Sequence, residues 1–312
     1  MKSYKIIYMK YVITTGCSFT NNLRLDPNNP KSNLDENRLS WPYYLGKELG
    51  REYEVLNYGG ATNDNVSMCR IQLYHLKRLI SEGTNPKDIT LITQWSDPTR
   101  QSIYLTKKFT KEQHHLGHTL VYTPKWETEN GVFFLTGGYC PPDGPDSAIE
   151  YFNIPNAIKY WELDINWDNI INQTMHWLEL WILLENTCNE LGIQSYYMSM
   201  RNPYSKEAYE CHFGAPGNDS DATTKSLWFD KYEVLKPYID SLPIDTPNHW
   251  HYKNYCGLLE WTIDNHNHIN PFQETRDITF EEYLKEQPNG WGHPSPEMME
   301  KFVKEELMPI LK

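Results

Sequence analysis

The chain opens as alternating apolar and amphipathic segments. YVITTG (Tyr11–Gly16) is a short β-branched run that stops at a glycine, the pattern of a buried parallel strand. The following stretch, NNLRLDPNNPKSNLDENRLS, is polar and rich in Asn and Pro, and reads as a loop. Ser40 then stands as a cap for a helix over Trp41–Leu49, with Pro42 in its first turn and Gly50 beyond its end. EYEVLNYGG predicts a second strand. Asp64 or Asn65 opens an amphipathic helix to about Ser81, carrying Val66, Cys69, Leu73, Leu76 and Ile80 near helical spacing. Asp88–Thr93 predicts a third strand, running out into QWSDPTR. The order βαβαβ implies a parallel sheet with right-handed crossovers.

From about Gln101 to Asp164 the regular pattern dissolves, and alternating runs such as GVFFLTGGY predict a hairpin-bearing insertion. Pattern returns in a long helix over Trp167–Leu191, carrying Met175, Leu178, Leu183 and Leu184 and ended by Gly192. IQSYYMSM (Ile193–Met200) predicts a fourth strand. A second insertion follows, with helices expected near Asp230–Leu242 and Phe280–Gln287, and Pro296–Leu311 reads as a terminal amphipathic helix. The expectation is one domain over residues 1–312, with insertions at about 101–165 and 204–289 forming a cap. Internal repeats and low-complexity tracts are absent from the sequence.

Composition narrows the function classes. The 312 residues carry a formal net charge of −12, which disfavours nucleic acid or an anionic membrane surface as the main partner. No stretch reaches the roughly 18 apolar residues of a membrane span. Lys2, Lys5 and Lys10 leave no apolar core for a signal peptide. TTGC at Thr14–Cys17 faintly resembles a lipoprotein cleavage box, but Lys10 and the Thr at the usual large-apolar position argue against that reading. The six cysteines, at 17, 69, 140, 188, 211 and 256, lie far apart, so reduced thiols in a cytoplasmic protein are expected. HWH (His249–His251), HNH (His266–His268) and the adjacent Cys211 and His212 supply imidazoles and a thiol, yet no closed ligand spacing forms, and neither a metal nor a cofactor is expected. The 11 Trp and 22 Tyr suit a core and stiffened loops, or an aromatic-lined cleft for a sugar or acyl group. The chain has no GxGxxG after the first strand and no GxxxxGK[ST], against nucleotide binding.

In parallel sheets, sites form at the carboxyl ends of the strands. Ser18 follows the first strand, Gly59 and Gly60 the second, and Gln94–Asp97 the third, so three polar loops are expected on one edge. GWGHPSPEMMEKF places His293 just before the terminal helix. A serine hydroxyl becomes a useful nucleophile when a nearby imidazole accepts its proton, and such pairs are defined by geometry rather than chain order. Together Ser18 and His293 suggest acyl-transfer chemistry.

With those blocks in that order, the chain resembles the SGNH (GDSL-like) hydrolases over residues 10–100, 168–202 and 288–312. The resemblance implies a flavodoxin-like three-layer α/β/α sandwich with a parallel sheet. Gly16-Cys17-Ser18-Phe19-Thr20 stands where the family has Gly-Asp-Ser, implying Ser18 as nucleophile and its N–H as an oxyanion donor. GATN matches the family's second block and points to the Gly60 N–H as another donor. Ser96 occupies the family's third-block Asn position, with Gln94 or Asn63 as substitutes. His293-Pro294-Ser295 fits the last block, implying His293 as base. Gly290 stands where the family has its aspartate, leaving either a Ser-His dyad or an orienting carboxylate from Asp97 or Glu297. The set GCSFT, GGATND, QWS and HPS is also similar to a branch found in tailed phages, which implies an infected bacterial host cytoplasm or, as the alternative, a virion. The expected function is a serine esterase or deacylase acting on a small-molecule or glycan ester. Its alternatives are an acyltransferase to a sugar or nucleoside hydroxyl, and a non-catalytic SGNH-like protein that binds a glycan or protein. The oligomeric state is left open.

Overall fold

The computed structural model describes residues 9–17, 19–20, 40–60, 63–96, 101–106, 131–136, 167–200, 237, 247–253, 257–267 and 294–311, with the backbone alone at 101–106, 131–136 and 167–174. Four strands form one parallel sheet. They are β1 (Lys10–Thr15), β2 (Tyr53–Asn57), β3 (Ile89–Trp95) and a later strand, Gln194–Ser199, in spatial order β2, β1, β3, Gln194–Ser199. In β1, Val12 stands opposite Val55 on one side and Thr90 on the other. Its residues Val12–Thr15 are all buried, as expected for a strand covered on both faces.

Residues 248–250 add a fifth position. The Tyr197 N–H donates to Asn248 O and the Trp250 N–H donates to Tyr197 O, each at 2.8 Å, in a parallel bridge between Tyr197 and His249. The resulting 2-1-3-4-5 order is that of the flavodoxin-like fold. Sequence pattern assigns this segment to an insertion; the structure makes it core. Trp250 and, beyond it, Leu258, Leu259 and Trp261 of a helix over Leu258–Asn265 belong to the main apolar cluster.

Helices cover both faces. On one side α1 (Trp41–Leu49) packs against β2 and the C-terminal helix. On the other, α2 (Asn65–Ser81) and α3 (Trp167–Leu191) pack on each other, α2 over β1 and β3 and α3 over Gln194–Ser199. Right-handed crossovers require this split, because the chain steps one way from β1 to β2 and the other way to β3. Two further strands, β4 (Gln101–Thr106) and β5 (Gly131–Thr136), form an antiparallel pair in the first insertion, as GVFFLTGGY predicts. Gln194–Ser199 is therefore β6, Leu258–Asn265 is α4, and the C-terminal helix begins as α5 (Pro296–Phe302). The helices expected near 230–242 and 280–287 lie outside the described residues, Pro237 alone excepted.

Caps follow the local chemistry. Asp64, not Asn65, is the N-cap of α2 and accepts from the Ser67 N–H at 2.9 Å. Ser40 occupies the N-cap of α1 but makes no side-chain capping bond; its hydroxyl donates to Thr20 O at 2.9 Å instead. Gly50 ends α1 with φ of 79°, a conformation that only glycine adopts without strain.

The C-terminal helix is not uniform. After α5 a π-helical turn spans Val303–Leu307 before a last turn, Met308–Leu311. The Glu306 carboxylate accepts from the indole N–H of Trp250 at 3.0 Å and of Trp261 at 2.9 Å. That clamp ties the fifth sheet position and α4 to the terminal helix. α5 runs parallel to α1: Tyr44 lies near Glu297 and Glu300, and one turn on Lys304 Nζ is 3.8 Å from Glu48.

Burial, reinforced by Glu300, Tyr43 and Glu297, pushes the Tyr44 phenol up from 10.0 to about 12. The folded state thus holds this proton more tightly than the unfolded chain. The stabilisation is fully present below pH 10 and is lost as pH rises through about 12. Tyr44→Phe should flatten that part of the alkaline stability profile in urea titrations at pH 9–12. An unchanged profile would place the alkaline loss elsewhere.

Under the sheet, Trp95 stacks on Tyr197 with centroids 5.9 Å apart and planes at 3°, and Trp181 lies 5.1 Å from each ring. All three rings belong to the main apolar cluster. Among the described residues, no helix is long and apolar enough to cross a membrane.

Candidate active site

The carboxyl edge of β1 is built around Thr20. Past Gly16 the chain turns back, and the Thr20 N–H donates to Cys17 O at 2.9 Å. This i to i+3 bond closes a turn between Cys17 and Thr20. The Thr20 carbonyl accepts from Ser40 Oγ at 2.9 Å and from Asn57 Nδ2 at 2.7 Å. Its hydroxyl accepts from Trp41 Nε1 at 3.1 Å and donates to Gln94 Oε1 at 2.6 Å. Thr20, Trp41 and Gln94 are all fully buried, so these bonds replace contacts that water would otherwise supply.

Two glycines make room for this hub. A Cβ at Gly16 would stand 2.0 Å from Thr20 Oγ1, and one at Gly59 would stand 2.7 Å from the Thr20 backbone carbon. Glycine is required at both for close approach rather than for backbone angle.

Residues after β2 are bonded to the end of β1. Gly59 N–H donates to Asn57 Oδ1 at 2.9 Å, Gly60 N–H to Gly16 O at 3.0 Å, and Asn63 Nδ2 also to Gly16 O at 3.1 Å. The Gly60 N–H, expected as an oxyanion donor, is thus bonded to Gly16 O just past β1, and such a role requires giving up that bond. The loop after β3 is held by a two-way clamp: Asn65 Oδ1 accepts from Ser96 N at 2.7 Å while Asn65 Nδ2 donates to Ser96 O at 3.1 Å.

Asn63 Oδ1, Asp64 Oδ2 and Ser96 Oγ are among the buried polar atoms at this edge that lack a hydrogen-bond partner. Leaving such an atom unpaired costs about 1–3 kcal/mol, and unpaired buried groups are uncommon in stable folds. Gln94, the other candidate donor, is committed elsewhere. Its Oε1 takes the Thr20 proton and its Nε2 contacts Cys17 Sγ and Trp95 O, both at 3.5 Å.

Of the residues singled out in the sequence, Gly60, Asn63, Gln94 and Ser96 meet at this edge. Ser18, Asp97, Gly290 and His293 lie outside the described residues. Their chain neighbours Cys17, Phe19, Ser96 and Pro294 are described and buried. Glu297 stands exposed in the first turn of α5. Ser295 caps that helix, accepting from the Met298 N–H at 3.3 Å. Because α5 runs parallel to α1, its start lies at the end of the molecule where Ser40 binds Thr20. Sequence reasoning did not assign roles to Thr20, Trp41 or Asn57; the one local signal was a threonine two residues after Ser18.

The other candidate chemistry is quiet. Among the described residues no group of three or more His, Cys, Asp or Glu could hold a metal ion. His249 is buried and His251 exposed, with ring centroids 5.9 Å apart. Cys17, Cys69 and Cys188 are free and buried. Burial, with Glu185 nearby, pushes the Cys188 thiol up to about 12, and burial raises Cys69 further still, so neither forms a thiolate at neutral pH. Comparison with family models, with curated proteins and with solved structures finds no match to this chain.

Proposed function

We propose that the chain is an SGNH-type serine esterase or deacylase with Ser18 as nucleophile and His293 as base. The observation that carries this reading is the glycine-lined Cys17–Thr20 turn, bonded shut at the carboxyl end of β1 beside buried, unpartnered polar atoms. In the sequence Ser18 stands between the described residues Cys17 and Phe19. His293 immediately precedes Pro294, at the start of a helix parallel to α1.

In the proposed reaction His293 takes the Ser18 proton as the oxygen attacks an ester carbonyl. The oxyanion is held by the Ser18 N–H, the Ser96 hydroxyl and the second N–H of the Asn63 amide. Gly60 joins them once its N–H leaves Gly16. The imidazolium then protonates the departing alcohol, and water or an acceptor hydroxyl releases the acyl group. Water gives a hydrolase; a sugar or nucleoside hydroxyl gives an acyltransferase. The imidazole works in a dyad or with Asp97 or Glu297 behind it. The substrate class is a small-molecule or glycan ester, and neither nucleic acid nor membrane is a partner in this reading. The buried free thiols suit a reducing cytoplasm, that of an infected bacterial host in the phage reading.

One observation favours a second reading, a non-catalytic SGNH-like protein that binds a glycan or protein: Gly60 N–H is already bonded to Gly16 O. A fluorophosphonate probe separates the two. Wild type should be labelled on Ser18, and Ser18→Ala and His293→Ala should each abolish labelling. Equal labelling of Ser18→Ala identifies a different serine, and an unlabelled wild type favours the binding protein.

A further inference from the structure

The buried polar residues around Thr20 form a hydrogen-bond chain whose direction is set by its first member. An indole N–H can only donate. Trp41 Nε1 donates to Thr20 Oγ1, so the Thr20 proton is left to point at Gln94 Oε1, which accepts it at 2.6 Å. That contact in turn fixes which way the Gln94 amide faces. Its oxygen is held toward Thr20 and its nitrogen toward Cys17 Sγ and Trp95 O. The chain therefore begins on α1, crosses one end of the Cys17–Thr20 turn, reaches β3, and returns to the other end of the same turn at Cys17.

A glutamine with no exposed surface is an unusual residue for the last part of a central strand, because its amide must find partners inside the core. Apolar residues fill β3 earlier, at Ile89, Leu91 and Ile92. Packing alone would be served by another apolar side chain at 94. What Gln94 adds is simultaneous contact with both ends of the turn. Burial of the Cys17 thiol against it and against Met200 Sδ at 3.6 Å gives the residue before Ser18 a purely internal role.

We infer that Thr20 and Gln94 are positioning residues that set the Cys17–Thr20 turn for attack by Ser18. Neither touches the reacting atoms. The inference rests on the serine hydrolase reading and deepens it. The requirement at position 20 is specific. The side chain must accept from Trp41 and donate to Gln94 at once, which serine and threonine can do and valine cannot. A small displacement of a nucleophile can reduce rate by about 10²-fold.

The test is the kinetics of fluorophosphonate inactivation, resolved into a maximal rate and a half-saturating probe concentration, on folded protein verified by circular dichroism. Thr20→Val should lower the maximal rate by about 10²-fold and leave the half-saturating concentration unchanged. Thr20→Ser should retain a wild-type rate. Gln94→Met and Trp41→Phe interrupt the chain at its other links, so they should reproduce the loss and keep the test decisive if Thr20→Val does not fold. A purely structural role would lower Tm in these variants without changing the rate per folded molecule, and that result overturns the inference. Wild-type rates in folded Thr20→Val or Gln94→Met overturn it equally, while labelling of wild type on Ser18 leaves the hydrolase reading standing. An unlabelled wild type is the distinct failure: it removes the hydrolase reading, and the catalytic purpose of the pair with it.

Discussion

Gly16→Ala should be among the most damaging single-methyl substitutions in this protein. The added carbon would stand 2.0 Å from Thr20 Oγ1, 2.7 Å from Thr20 Cβ and 3.1 Å from Gln94 Cβ. None of these can retreat cheaply. Thr20 is held through its N–H, carbonyl and hydroxyl, and Gln94 is locked against it. Overpacking a core costs about 1–3 kcal/mol and sometimes more; the upper end is expected here, because relief breaks buried hydrogen bonds. Gly46→Ala is the matched control. Its Cβ would lie 3.5 Å from Val55 Cγ2, an ordinary contact, in the interior of α1. It should stabilise by up to about 1 kcal/mol through helix propensity. Urea unfolding should show midpoints moving in opposite directions at unchanged slope. A Gly16→Ala midpoint equal to wild type would rule out the close approach of Thr20.

Trp95→Ala should cost about 3–5 kcal/mol. Trp95 ends the strand between β1 and β6, is fully buried, and meets the rings of Trp177, Trp181 and Tyr197. Alanine would leave a cavity bounded by large, mutually packed rings that cannot collapse into it. Trp95→Phe should cost much less. It keeps a ring in the stack and deletes an indole N–H that has no hydrogen-bond partner. Unfolding midpoints together with near-ultraviolet circular dichroism would measure both effects. A loss as large for phenylalanine as for alanine would mean that the indole N–H matters more than the ring.

Legibility followed the range of the interaction. α1, α2 and α3 declare themselves through apolar spacing and end signals a few residues away, so their boundaries could be read from the chain. β1, β3 and β6 are short β-branched or aromatic runs, and their βαβ spacing dictates parallel pairing. The π turn at Val303–Leu307 was not readable, because it coincides with Glu306 meeting two indoles from distant parts of the chain. The fifth sheet position escaped for the same reason. A single bridge at residues 248–250 has no alternating pattern to detect, and it exists because Tyr197 offers an open strand edge.

The site divides along the same line. The resemblance drew attention to GCSFT, GGATN and QWS, and residues from all three meet at the carboxyl edge of the sheet. Which glycine does what was a matter of space. GATN favoured Gly60, yet the close approach to Thr20 belongs to Gly59, and the Gly60 N–H is bonded to Gly16. Ser40 looks like a helix cap in any sequence, and only the nearby Thr20 carbonyl redirects its hydroxyl.

By itself, then, the sequence determined the alternation of strands and helices, the parallel sheet and the edge on which its polar loops gather. Apolar periodicity, capping and chain reach decide these locally. The tertiary structure alone decided that Thr20 is the hub, that Gln94 faces it through its oxygen, and that residues 248–250 of the second insertion join the sheet. Those outcomes depend on which donors, acceptors and unfilled edges meet across the fold after burial has excluded water, and residues adjacent in sequence carry no record of that meeting.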